Sequence, residues 1–142
     1  MKRLIPILFL LVSGVANAEK WLCIEEQSTG FRFKDSEWVV SNFKLRKFLI
    51  IKEKSGYWVE EFGTKKPIFR PDHYWLTDDG DDCKYVTDDS EGMYLLCENI
   101  IHKMIFHPKT RRFVYWYFWG YWDGVENNDN TPKMQIGECS SL

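Results

Sequence analysis

After residue 18 the chain contains no alanine. Alanine is the strongest helix former, so a stretch of 124 residues without it is poor helical material. The same stretch holds 23 of the 24 aromatic residues, together with 20 Val, Ile or Thr. Aromatic and β-branched side chains suit a pleated, half-buried surface. A helical bundle is excluded, and the chain reads as all-β.

The first 18 residues have a different character. Lys2 and Arg3 precede the apolar run Leu4 to Val12, and Ala16-Asn17-Ala18 supplies the small residues of a signal-peptidase site. The apolar run is shorter than the roughly 20 residues a membrane span requires. Residues 1–18 are therefore predicted to be a secretory signal, and 19–142 a single soluble domain, periplasmic or secreted. Cys23 follows Leu22 rather than a small residue, which argues against lipidation there. Loss of Lys2 and Arg3 moves the formal net charge from −2 to −4. That balance argues against a nucleic-acid partner, which usually meets a basic face.

All four cysteines, Cys23, Cys83, Cys97 and Cys139, lie in the mature part. An even count in an oxidising compartment predicts two disulfides, and three pairings are possible. Cys83 and Cys97 lie seven residues either side of Ser90, inside the turn-like stretch 88–92. A hairpin there brings them opposite each other, leaving Cys23 and Cys139 to join the two ends. No C-x-x-C or C-x-C spacing suggests zinc.

Short strands alternate with turns along the chain. The predicted strands are Lys20 to Glu26, Gly30 to Phe33, Trp38 to Phe43, Lys47 to Glu53 and Tyr57 to Phe62. They continue with Tyr74 to Leu76, Cys83 to Thr87, Met93 to Glu98, Ile100 to Phe106, Arg112 to Trp119 and Lys133 to Cys139. The stretch Gly63 to Pro71, with two prolines, is expected to be loop or edge. With Gly30 to Phe33 and Tyr74 to Leu76 as marginal runs, about nine or ten short strands fit a small antiparallel meander, closing into a calycin-like barrel or forming a sandwich. Pairing of the end cysteines favours the barrel, which also removes exposed edges.

Trp21-Leu22-Cys23 close behind a secretion signal, then Thr29-Gly30-Phe31 and a terminal Ile136-Gly137-Glu138-Cys139, carry a resemblance. The chain resembles an uncharacterised group of small secreted proteins of bacteria and their phages or mobile elements. The likeness covers the two ends of the mature chain and implies bacterial export and a terminal cysteine pair. It implies no catalytic residue. The cysteine-linked barrel is also similar in architecture to periplasmic lysozyme inhibitors, without an inhibitory loop motif.

Four features are candidates for function. Asp78 to Glu91 holds seven carboxylates in 14 residues. It departs from the EF-hand pattern at Gly80, so it reads as solvated turns, with calcium as the alternative. Residues 113–122 hold eight aromatics in ten positions. In a strand, Phe113, Tyr115, Tyr117 and Trp119 face one way and Val114, Trp116 and Phe118 the other. One face lines the core, and the other must be covered or bind something. Trp119, Tyr121, Trp122 and Asp123, beside Gly120 and a polar loop, are the possible binding residues. His73, His102 and His107 suit acid–base work only if the fold gathers them with carboxylates, and His102 reads as a packed histidine. Lys44, Arg46 and Lys47 read as a solvated basic face. The expected protein is a non-enzymatic monomer without cofactor that binds an unknown protein or envelope component and spans no membrane. The alternative is a small-ligand or carbohydrate binder at the barrel mouth, and a hydrolase using the histidines is a third class.

Overall fold

The computed structural model describes residues 19–54, 56–69, 83–90, 92–128 and 130–142. These form ten antiparallel strands, in keeping with the all-β expectation. They are β1 (Lys20–Lys34), β2 (Glu37–Asn42), β3 (Lys47–Glu53), β4 (Gly56–Glu61), β5 (Pro67–Phe69), β6 (Cys83–Asp88), β7 (Gly92–Glu98), β8 (His102–His107), β9 (Arg112–Tyr117) and β10 (Lys133–Ser141). The spatial order is β5-β4-β3-β1-β10-β9-β8-β7-β6, with β2 added to the upper half of β1.

This is a meander whose first and last strands are paired neighbours, so the sheet curls into a nearly closed barrel. Among the described residues, the seam without strand pairing lies between β4–β5 and β6, where Tyr57 and Tyr85 meet edge to face with ring centroids 5.0 Å apart. Cys23 pairs with Cys139 across β1 and β10, and Cys83 with Cys97 across β6 and β7, each with Cα atoms 3.9 Å apart. The Cys139 N–H donates to the Arg111 carbonyl on the β9 side. Its ladder groups therefore point away from Cys23, leaving the close-spaced type of cross-strand pair that a disulfide needs.

Several predicted boundaries are corrected. Lys20 to Glu26 and Gly30 to Phe33 are one strand, not two, interrupted by a bulge between Glu25 and Gln27. The bulge inserts one residue, so burial falls on Trp21, Cys23 and Glu25 and then resumes at Ser28. Alternation alone would have put Ser28 outside. Gly137 faces the bulge, and a side chain there would come within 2.0 Å of the Ile24 carbonyl oxygen. The strand predicted for Ile100 to Phe106 begins only at His102, and Ile100 is exposed. The aromatic strand ends at Tyr117 rather than Trp119. Within Gly63 to Pro71, Pro67–Phe69 forms the short edge strand β5. The strand predicted at Tyr74 to Leu76 lies outside the described residues.

Register rows across the sheet define layers inside the barrel. Gly137, Phe113, Phe106 and Leu95 align, and Phe48 meets Phe113 edge to face at 4.8 Å. Trp21 packs on Phe106 at 5.5 Å, completing an apolar floor with Ile50 and Val59. One row higher stand Gln135, Tyr115 and Met104, and above them Lys133, Tyr117 and His102. The interior thus changes from apolar at one end to polar at the other.

Candidate functional site

Two places concentrate unusual side chains: the polar end of the interior, and the outer face of β1, β2, β9 and β10.

The interior site is built on the bulge. Glu25 and Gln135 are each 1% exposed and Ser28 is also buried. Burying such groups costs free energy unless they are paired. Arg46 supplies the pairing. Its backbone N–H donates to Glu25 Oε2 at 2.7 Å, its Nε to Glu25 Oε1 at 3.2 Å and its Nη2 to Gln135 Oε1 at 2.9 Å. Gln135 Nε2 in turn donates to Ser28 Oγ at 3.1 Å. The basic stretch read as a solvated face is therefore corrected: Lys44 and Lys47 are exposed, but Arg46 turns into the barrel. Burial works against the Arg46 charge, yet Glu25 and Tyr115 hold its pKa above the ordinary value.

Tyr115 lies beneath the Arg46 guanidinium and shares a hydrogen bond with His102 Nδ1. Burial, opposed by Arg46, pushes the Tyr115 hydroxyl up to about 12. Burial, then the Arg46, Lys133 and Lys66 cations, push His102 from 6.5 down to about 4. The ring is neutral at pH 7. As pH falls below 6.5 the unfolded chain takes up this proton, whereas the folded protein resists until about 4. Stability contributed by the neutral ring is thus complete above that window and declines through it. Urea unfolding is expected to lose about 2 kcal/mol from this group as pH is lowered, after allowing for partial exposure of the ring. His102→Gln should remove that part of the pH slope; an unchanged slope would assign it to other groups.

The expected packed, hydrogen-bonded His102 is what stands here. His107 closes β8, and its Nδ1 accepts from the Thr110 N–H. His73 lies outside the described residues, as do five of the seven carboxylates between Asp78 and Glu91. Among the described residues no three His, Cys, Asp or Glu side chains gather as metal ligands.

The outer site is a groove of about 770 Å³. Its floor follows register rows: Thr29, Met134 and Trp116 align across β1, β10 and β9, and Phe31 faces Val40 across β1 and β2. These are the positions opposite to Ser28, Gln135 and Tyr115, so the face turned away from the core is itself apolar. Trp38 stands at the β2 end, and Gly30, Tyr117, Pro132 and Lys133 complete the base. Phe118, Tyr121 and Trp122 form the wall.

The wall exists because the chain turns sharply after β9. Gly120 adopts φ 121°, and a side chain there would lie 2.2 Å from the Asn130 carbonyl oxygen. The one-turn 3₁₀ helix Tyr121–Asp123 follows. Asn128 then mimics a strand, accepting from the Phe33 N–H at 3.0 Å and donating to the Phe33 carbonyl at 2.6 Å. Tyr117 donates to Asn130 Oδ1 at 2.7 Å. These bonds bring Tyr121 edge to face against Trp38, with centroids 5.7 Å apart.

Of the four residues singled out from sequence, Tyr121 and Trp122 line the groove. Trp119 is half-buried behind Trp122, with ring centroids 4.9 Å apart, and Asp123 ends the 3₁₀ helix. Phe31, Trp38, Val40 and Met134 were not anticipated, because they come from strands remote in sequence. No family model, curated protein or solved structure matches the chain. What the groove can bind must therefore be inferred from its own chemistry.

Proposed function

We propose that the protein is an exported, non-catalytic binding protein of the envelope-interaction or inhibitor type, and that the aromatic groove is its contact surface. The observation that carries this reading is the pair Tyr121 and Trp122, 65% and 64% exposed beside a floor that is already apolar. A contiguous exposed apolar patch marks an interaction site, and Tyr and Trp are enriched among residues that dominate binding energy. The lining is poor in groups that read sugar hydroxyls, so it suits apolar side chains of a protein partner. The interior, filled by Phe48, Phe106 and Phe113, weighs against a ligand held within the barrel. The leader-like residues 1–18 and the two disulfides support export. No helix among the described residues is long and apolar enough to cross a membrane.

The test is affinity capture from an envelope extract, comparing the wild type with Tyr121→Ala plus Trp122→Ala. Both side chains are largely exposed, so the variant should keep its melting temperature while capture falls about tenfold or more. Equal capture by a folded variant would remove the groove from the function.

A further inference from the structure

Among the described residues β2 pairs with β1 alone, so its second edge is free. Asp35 and Ser36 form a two-residue turn closed by Lys34 and Glu37, and the Phe43 N–H donates to the Ser28 carbonyl. Alternation along the strand then turns the backbone groups of Glu37, Val39 and Ser41 toward β1. Those of Trp38, Val40 and Asn42 turn outward. Natural sheets guard such edges with lysine, proline, bulges or very short strands. The edge strand β5 follows this practice, with three residues beginning at Pro67. The run Trp38-Val39-Val40-Ser41-Asn42 uses none of these devices, and Val40 is 73% exposed.

The edge is also complementary to itself. A two-fold axis perpendicular to the sheet opposes Val40 to Val40 of a second copy, Val39 to Ser41 and Trp38 to Asn42. No charge lies within that stretch. At each end the exposed Lys44 of one copy lies beside the turn of the other, where Asp35 and Glu37 outnumber Lys34, so opposite charges meet twice. We propose that β2 pairs antiparallel with β2 of a second copy, giving a dimer with one sheet running through both barrels. The same axis sets both outer faces on one side, so the two groove floors adjoin. The dimer requires only the edge and does not depend on what the groove binds.

Sedimentation velocity on the disulfide-bonded protein, from micromolar to millimolar concentration, should show a reversible monomer–dimer equilibrium. Hydrogen exchange should slow with concentration at the Trp38, Val40 and Asn42 amides and stay constant at Val39 and Ser41. Val40→Pro takes no hydrogen bond from the β1–β2 ladder and replaces a side chain that is largely exposed, so it should abolish the dimer while leaving the monomer's melting temperature nearly unchanged. Lys44→Glu should raise the dimer Kd about tenfold, and adding Glu37→Lys should restore it. A monomer at every concentration would overturn the proposal. So would a dimer indifferent to Val40→Pro, or one whose concentration-dependent protection lies elsewhere.

Discussion

Glu25→Ala is expected to lower the unfolding free energy by about 3 kcal/mol in urea titrations at neutral pH. The carboxylate is fully buried and holds Arg46 through two side-chain bonds, while the Glu25 N–H donates to the Arg46 carbonyl at 3.1 Å. Alanine would leave the guanidinium inside the barrel with Gln135 and Tyr115 but without its counter-charge. Breaking a buried pair by removing one partner costs about 3–5 kcal/mol, and the lower end applies because the Arg46 side chain is 28% exposed. Glu25→Ala with Arg46→Met should recover most of the loss, since no unpaired charge then remains. The four proteins form a double-mutant cycle, and the coupling should exceed about 1 kcal/mol. Additive losses would mean that Arg46 finds water on its own and that the pair does not hold the segment entering β3 against β1.

Removing the bridge between the chain ends should cost more than removing the hairpin bridge. The Cys23–Cys139 link closes 116 residues of sequence separation and Cys83–Cys97 closes 14. On the chain-entropy account these loops correspond to about 5 and about 3 kcal/mol of stability at 25 °C. The comparison is Cys23→Ala plus Cys139→Ala against Cys83→Ala plus Cys97→Ala, each with the other bridge intact. All four sulfurs are buried, so the cavities left are alike and the difference of about 2 kcal/mol isolates loop closure. In the first variant the terminal strand β10 stays paired between β1 and β9, so the native fold is kept. Equal losses, or a larger loss at the hairpin, would rule out restriction of the unfolded chain as the main source.

Parts of this architecture are legible in the sequence alone. The hairpin about Ser90 and the two cysteine pairs follow from spacing, because a strand advances at a fixed rate and a two-strand turn reflects it. The two faces of residues 113–118 follow from the period of two, and Phe113 and Tyr115 are buried while Phe118 is exposed. The burial of Arg46 is hidden in the sequence for a local reason. It stands among Lys44 and Lys47, and its partner is 21 positions away in a strand whose phase shifts at a bulge. A signal did exist: Glu25 continues the Trp21 and Cys23 face, and Gln135 continues the face of Cys139. Glu25 and Glu26 are adjacent acidic residues, and the strand turns them to opposite sides, the first buried and the second exposed.

The groove divides the same way. Its aromatic wall near Tyr121 and Trp122 is legible in the sequence, whereas the floor residues Phe31, Trp38, Val40 and Met134 are not. Those side chains are scattered along the chain and share a surface only through the β2–β1–β10–β9 order.

By itself, the sequence determined the all-β class, the two disulfides and an excess of aromatic surface beyond what one core can absorb. Absence of alanine, side-chain alternation and cysteine spacing are local properties that act before distant strands meet. Only the tertiary structure decided where the excess goes and which charges are buried. Both depend on a single inserted residue near Glu25 and on the loop after Gly120 folding back on β1. The energies of those arrangements arise between residues about 90 positions apart, as in the bonds from Asn128 to Phe33 and from Arg46 to Gln135.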